Sequence, residues 1–173
     1  MLYLFAFICI LYFSKYFLLA VYSRRQKKNF LKNQQNKKEC NTETLEEIAL
    51  VKDSFRKKLS RWLNGYVQHE LMMLGKIPSQ KYRQFVLKKV YGMGIAKNVV
   101  IYGDFEIMAP WNITIDENTI IGNLSKLDGR NGLHIGKNVN IGMGVWIFTN
   151  QHDVDNPYFA CRGGYVCIGD DRS

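Results

Sequence analysis

The chain has 173 residues, 47% of them hydrophobic and 13% aromatic, which allows one globular domain with extensions and is too rich for disorder. Its formal charge of +9 is local: seven basic residues and no acidic one lie between Ser23 and Lys38, whereas from Glu39 onward sixteen basic residues face fifteen acidic ones. A basic run beside an apolar run suits a membrane flank better than a phosphate-reading surface, and with no base-reading motif nucleic acid is not an expected partner.

The apolar run from Leu2 to Tyr22 is 21 residues long, enough for a helix to cross a hydrocarbon core of about 30 Å. Residues 1–22 are therefore predicted to be an uncleaved transmembrane anchor. Lys15 can snorkel toward the headgroups. A signal peptide would carry its positive charge before the apolar stretch and small residues after it, and AVYSRRQKK does neither. The positive-inside rule then makes this an inner-membrane protein with everything after Ser23 cytoplasmic.

Residues 23–42, rich in Asn, Gln and Lys, read as a solvated basic linker. A helical region follows over 43–92. Thr44 and Glu47 form a capping box, and Phe55, Leu59, Trp62, Leu63, Tyr66, Val67, Leu71 and Leu74 recur at spacings of three and four, as one long helix or two broken near Asn64 and Gly65. Pro78 and Ser79 open a shorter helix that Gly92 closes, with an apolar stripe of Tyr82, Phe85, Val86 and Val90. His69 reads as a surface or packing residue. Of the cysteines at 9, 40, 161 and 167, a Cys161–Cys167 disulfide is not expected in a reducing compartment. Cys161, Cys167 and His152 match no common zinc spacing, so no metal is expected.

From Ile95 the period becomes six. The units IAKNVV, IYGDFE and IMAPWN, then IDENTI, IGNLSK and LDGRNG, then IGKNVN, IGMGVW and IFTNQH each open on an aliphatic residue, with a two-residue slip after each third unit. Six suits neither an amphipathic helix nor simple alternation. It fits a short strand plus a turn, repeated, so that stacked units bury a column of aliphatics that none could bury alone.

These sixes resemble the hexapeptide repeats of the left-handed β-helix acyltransferases, which include maltose, galactoside, capsule and O-antigen O-acetyltransferases. The resemblance implies a mainly β fold over 93–173, a left-handed parallel β-helix in which three sixes make one coil, preceded by the anchor and the amphipathic helices. It also implies acetyl-CoA as donor, a sugar or glycan hydroxyl as acceptor, and a homotrimer. Family members continue through further coils where this chain stops at CIGDDRS, so the repeat domain is expected to be C-terminally incomplete.

IFTNQHDVDNPYFACRGGYVCIGDD is similar to the family's loop, in which a Thr-x-x-His segment leaves the coil before Ile-Gly resumes it. By that alignment His152 is the catalytic base. A sugar hydroxyl is a weak nucleophile, and imidazole is suited to take its proton. Asp153 or Asp155 could fix the imidazole tautomer. Asn123 matches an asparagine near the acceptor in some sugar acetyltransferases, and is equally a turn residue. Trp146 is expected to face outward, to a substrate cleft or a neighbouring subunit. His134 is expected outside its coil, and Lys126, Asp128 and Arg130 form an exposed, structural corner.

Overall fold

In the computed structural model, which describes residues 2–39, 55–155 and 161–171, the helices come first: α1 (Leu2–Glu39), α2 (Phe55–Gly75) and α3 (Gln80–Lys89). From Gly94 the chain forms only short strands. These are β1 (Gly94–Ile95), β2 (Val100–Ile101), β3 (Glu106–Met108), β4 (Ile113–Ile115), β5 (Ile120–Ile121), β6 (Lys126–Asp128), β7 (Leu133–Ile135), β8 (Asn140–Ile141), β9 (Trp146–Ile147), β10 (Asn150–His152), β11 (Cys161–Gly163) and β12 (Val166–Ile168). A 3-10 turn, Pro110–Asn112, lies between β3 and β4.

The strands stack into three parallel sheets, β1-β4-β7-β12, β2-β5-β8 and β3-β6-β9. Each sheet aligns one set of hexad leaders. Ile95, Ile115, Ile135 and Ile168 are in register on one face, Ile101, Ile121 and Ile141 on the second, and Ile107, Leu127 and Ile147 on the third. The period of six is therefore one face of a β-helix. The slips have a role too: they lengthen β4 and β7 so that Ile113 and Leu133 also turn inward, while Thr114 and His134 turn out. Ile101, Ile107, Ile115, Ile121, Leu127 and Ile135 are fully buried in one column.

One corner repeats a left-handed turn. Asn98, Asn118 and Asn138 have φ of 56°, 58° and 53°, a region that Asn tolerates better than most residues. Their side chains form a ladder, Asn98 Nδ2 donating to Asn118 Oδ1 at 3.1 Å, Asn118 Nδ2 to Asn138 Oδ1 at 3.3 Å, and Asn138 Nδ2 to Asp171 Oδ1 at 2.9 Å. Inside the coil, the buried Thr119 hydroxyl donates to Gly136 O at 2.7 Å and accepts from Val139 N–H at 3.1 Å, so no polar debt is left there.

The helices seal the first coil. α2 is continuous through Asn64 and Gly65, and buries Val67, Leu71 and Leu74, whereas Phe55, Leu59 and Trp62 are exposed. Its final carbonyl, on Gly75, accepts the Asp104 N–H at 2.9 Å. Ser79 caps α3 as expected, accepting from Tyr82 N–H. The buried side of α3 differs from the expected stripe: Arg83, Val86, Leu87 and Val90 are buried, and Phe85 is exposed. Arg83 sets that rotation, because its guanidinium donates to the carbonyls of Pro78 at 3.1 Å and Ile101 at 2.9 Å, and to that of Ile77. The capping pair Thr44 and Glu47 lies outside the described residues.

The transmembrane expectation requires correction. Among the described residues no helix is long and apolar enough to cross a membrane. α1 instead lies along the protein. Lys15 pairs with Glu70 of α2 at 2.5 Å, the hydroxyls of Tyr12 and Tyr16 hydrogen-bond that of Tyr82 at 2.7 and 3.0 Å, and Leu19 and Ser23 are buried. Tyr22 meets Trp111 edge to face, centroids 6.1 Å apart. A helix with these groups engaged by protein does not have lipid on every side. The helix also continues to Glu39 through the stretch expected to be a linker.

Candidate active site

After β9 the backbone leaves the coil. β10 and β11 form an antiparallel hairpin in which Asn150 pairs with Gly163, Gln151 with Arg162 and His152 with Cys161, and β12 then rejoins the first sheet. Thr149 is the root of this hairpin. Its N–H donates to Asp128 Oδ2 at 3.2 Å, its hydroxyl accepts the Asn131 N–H at 3.1 Å, and its carbonyl accepts from Asn131 Nδ2 at 2.8 Å and from Gly164 N–H at 3.1 Å. A side chain at Gly163 would run into Asn131 and the Thr149 carbonyl.

Asp128 is the centre of that root and corrects the expected exposed corner: its side chain is wholly buried. Arg130 donates to it three times, from the backbone N–H at 2.9 Å, Nε at 3.0 Å and Nη2 at 2.9 Å. Burial pushes the Asp128 carboxyl up, but the bonds and charge of Arg130 and the Thr149 N–H outweigh it and hold the carboxyl below the usual carboxylate range. Arg130 is shifted upward by the same pair. The hairpin thus stands on a charge-assisted clamp.

At its far end the hairpin exposes His152, with Nδ1 3.8 Å from Cys161 Sγ. Asp153 adjoins it: Oδ1 accepts the Asp155 N–H at 3.1 Å, and Oδ2 lies 3.9 Å from Arg162 Nη1. A cavity of about 400 Å³ runs along the same hairpin, lined by Phe148, Asn150, Gln151, Arg162 and Tyr165 among others. His152, Asp153 and Asp155 are neighbours in sequence at this end of the hairpin, and Asp153 is hydrogen-bonded to Asp155.

The other sequence-predicted residues lie elsewhere on the coil. Trp146 is exposed on β9, edge to face with Phe148 and 4.5 Å beneath Lys126 Nζ, which also pairs with Glu106 at 2.9 Å. Asn123 sits half-buried in a turn, its carbonyl accepting the Gly144 N–H at 2.9 Å. His134 faces outward as expected, Nε2 3.4 Å from Asp116 Oδ2, and His69 is exposed. Among the described residues no group of three or more His, Cys, Asp or Glu side chains is arranged to hold a metal ion.

The anchoring contacts of Thr149, the part of Asn131 in them and the buried state of Asp128 are what sequence reasoning missed. The available signal was Asp-Gly-Arg at a coil corner, a combination suited to an aspartate bonding its own backbone two residues on.

Two curated relatives match the chain, both named "Putative colanic acid biosynthesis acetyltransferase WcaF", from Escherichia coli (strain K12) and Shigella flexneri; each is 28% identical over 90 residues, covering 52% of this chain and 49% of the relative. Over those 90 residues the chain is similar to these acetyltransferases, and its stacked parallel strands are consistent with a β-helix. It spans about half the length of the curated relatives it matches. No family model and no solved structure matches it. The His152 hairpin is where the chain departs from the stacked parallel strands.

Proposed function

We propose that the chain carries acyl-transfer chemistry, moving an acetyl group from acetyl-CoA to a hydroxyl of a cell-surface polysaccharide or its precursor. The observation behind this reading is the exposed His152 imidazole on a hairpin clamped to a rigid coil, next in sequence to Gln151, which lines the hairpin's cavity. His152 takes the acceptor hydroxyl proton as the oxygen attacks the thioester carbonyl. Backbone N–H groups steady the tetrahedral oxyanion, the carbon–sulfur bond breaks, and the departing thiolate receives the proton back. Asp153 and Asp155 supply the carboxylates that orient the imidazole and the acceptor, and no metal takes part. Trp146, with Lys126 over one face of its ring, offers exposed aromatic surface to a sugar, and Asn123 offers an amide in a separate turn of the coil. The domain begins near residue 93, after α2 and α3, and is wound left-handed and works as a homotrimer with clefts between neighbouring coils.

The membrane enters this reading as a surface. On α1, Ile10, Phe13, Phe17, Leu18 and Val21 are exposed at helical spacing, on a helix whose other side is engaged by Tyr82, Glu70 and Trp111. The exposed cations Arg24, Arg25, Lys28 and Lys32 follow directly. An apolar stripe followed by cations suits an anionic bilayer, the stripe entering the acyl boundary and the cations meeting headgroups. In this reading the protein lies on the inner membrane with its coil on the side that holds acetyl-CoA.

The test is coenzyme A release from acetyl-CoA in the presence of envelope glycans, comparing the parent chain with His152→Ala. Release by the parent alone supports the reading. No release from either, on any glycan, leaves a non-catalytic coil scaffold as the better description.

A further inference from the structure

The carboxyl half of α1 and the middle of α2 lean over the 3-10 turn and enclose a second cleft, of about 440 Å³. Its polar lining is almost entirely amide: Gln26, Asn29 and Asn33 from α1, Asn64 and Gln68 from α2, and Asn112 from the turn. Trp111 and Phe30 add aromatic surface. Arg130 is the charged residue in the lining, and its guanidinium is already engaged by Asp128. Asn112 Oδ1 is buried there without a hydrogen-bond partner, which is costly unless a donor from a ligand or solvent meets it.

This chemistry selects among ligand classes. A phosphorylated ligand would find one cation, already paired, and an apolar chain would lie against a row of amides, of which Asn64 already accepts from the Tyr22 hydroxyl. Amides both donate and accept, as sugar hydroxyls do, and aromatic surface suits the C–H faces of a pyranose. The cleft also adjoins the cavity at the hairpin. A Cβ added at Gly132, whose φ is +91°, would lie 3.3 Å from Phe30 and 2.9 Å from Tyr165, so residues of the two cavities close over the same glycine. A ligand filling both has to be longer than one sugar.

We propose that this cleft is a saccharide-binding site that holds uncharged units of an oligosaccharide whose reacting unit lies at the His152 hairpin. The second half of that statement rests on the acyl-transfer reading; the first does not. The side-chain amides of Gln68 and Asn29 donate to the bound glycan through nitrogen and accept from it through oxygen.

The experiment uses the full chain against an array of neutral and uronate-containing oligosaccharides of increasing length, followed by titration calorimetry with the best-retained neutral glycan. Asn29→Leu, on the exposed rim, and Gln68→Leu are each compared with the parent, with thermal melting to establish folding. The expected result is retention of neutral glycans longer than a monosaccharide, an affinity loss of tenfold or more in both variants, and unchanged coenzyme A release on a monosaccharide acceptor. Retention of no glycan, retention of uronate-containing glycans alone, or equal binding by parent and variants overturns the proposal. Glycan binding that depends on the amides, with no coenzyme A release, overturns the acyl-transfer reading and leaves the cleft standing.

Discussion

The buried carboxylate of Asp128 accepts the backbone N–H of Thr149 at 3.2 Å and so ties the root of the His152 hairpin to the corner of the coil beneath it. Because Arg130 fills its remaining acceptor positions, the carboxylate is satisfied and the hairpin is held by charge-assisted bonds rather than by packing alone. Asp128→Ala is expected to cost about 1–3 kcal/mol in urea unfolding, mainly from the orphaned Thr149 N–H. Acetyl transfer should fall further than stability, since His152 loses its footing.

The same carboxyl gives the clamp a pH dependence. Its folded pKa is lowered, so the folded state holds the proton less tightly than the unfolded chain does. The stabilisation is complete above the unfolded carboxyl pKa and is lost as pH falls through the lowered folded value. Thermal melting followed into acid should show a steeper decline for the parent than for Asp128→Asn.

Adjacent residues test the coil register. Ile121 is fully buried and Ile120 is exposed on the outside of the same strand. Ile121→Ala is expected to cost about 2–5 kcal/mol, and Ile120→Ala about 0.5 kcal/mol or less. Equal costs would contradict the inward column.

The asparagine ladder separates side-chain bonding from backbone strain. Asn118 has φ of 58° and bonds to the asparagines above and below. Asn118→Gly keeps the left-handed turn and loses the ladder, while Asn118→Ala loses both, so alanine should be the less stable variant by about 1 kcal/mol. Urea midpoints of the two variants measure this.

The coil is legible in the sequence because a hexad gives each face one inward aliphatic, and register across faces then follows from counting. The position of the His152 hairpin is legible for the opposite reason, as it falls where the repeat breaks. Asp128 is not, because alternation within β6 turns it away from Leu127 and the column, and the Thr149 and Arg130 groups that meet it there are not given by the repeat. α1 misleads through composition: an apolar stretch does not state what it packs against, and the partners Glu70, Tyr82 and Trp111 are remote in sequence. The α3 face is misread because a buried arginine that satisfies three carbonyls looks like a surface cation until those carbonyls are placed.

The outer face of α1 makes a separable claim. Flotation with vesicles containing phosphatidylglycerol should carry the full chain upward. Phe13→Glu combined with Phe17→Glu should abolish flotation, and raised salt should weaken it. Flotation on neutral vesicles that is insensitive to both changes would point to insertion through the bilayer instead.

Mass spectrometry of a glycan acceptor incubated with acetyl-CoA bears most directly on the histidine. The parent chain is expected to add an acetyl ester, and His152→Ala, folded to the same melting temperature, is expected to lose at least a hundredfold in rate, about 2.7 kcal/mol of transition-state stabilisation. Acetylation by His152→Ala at the parent's rate would contradict the assignment.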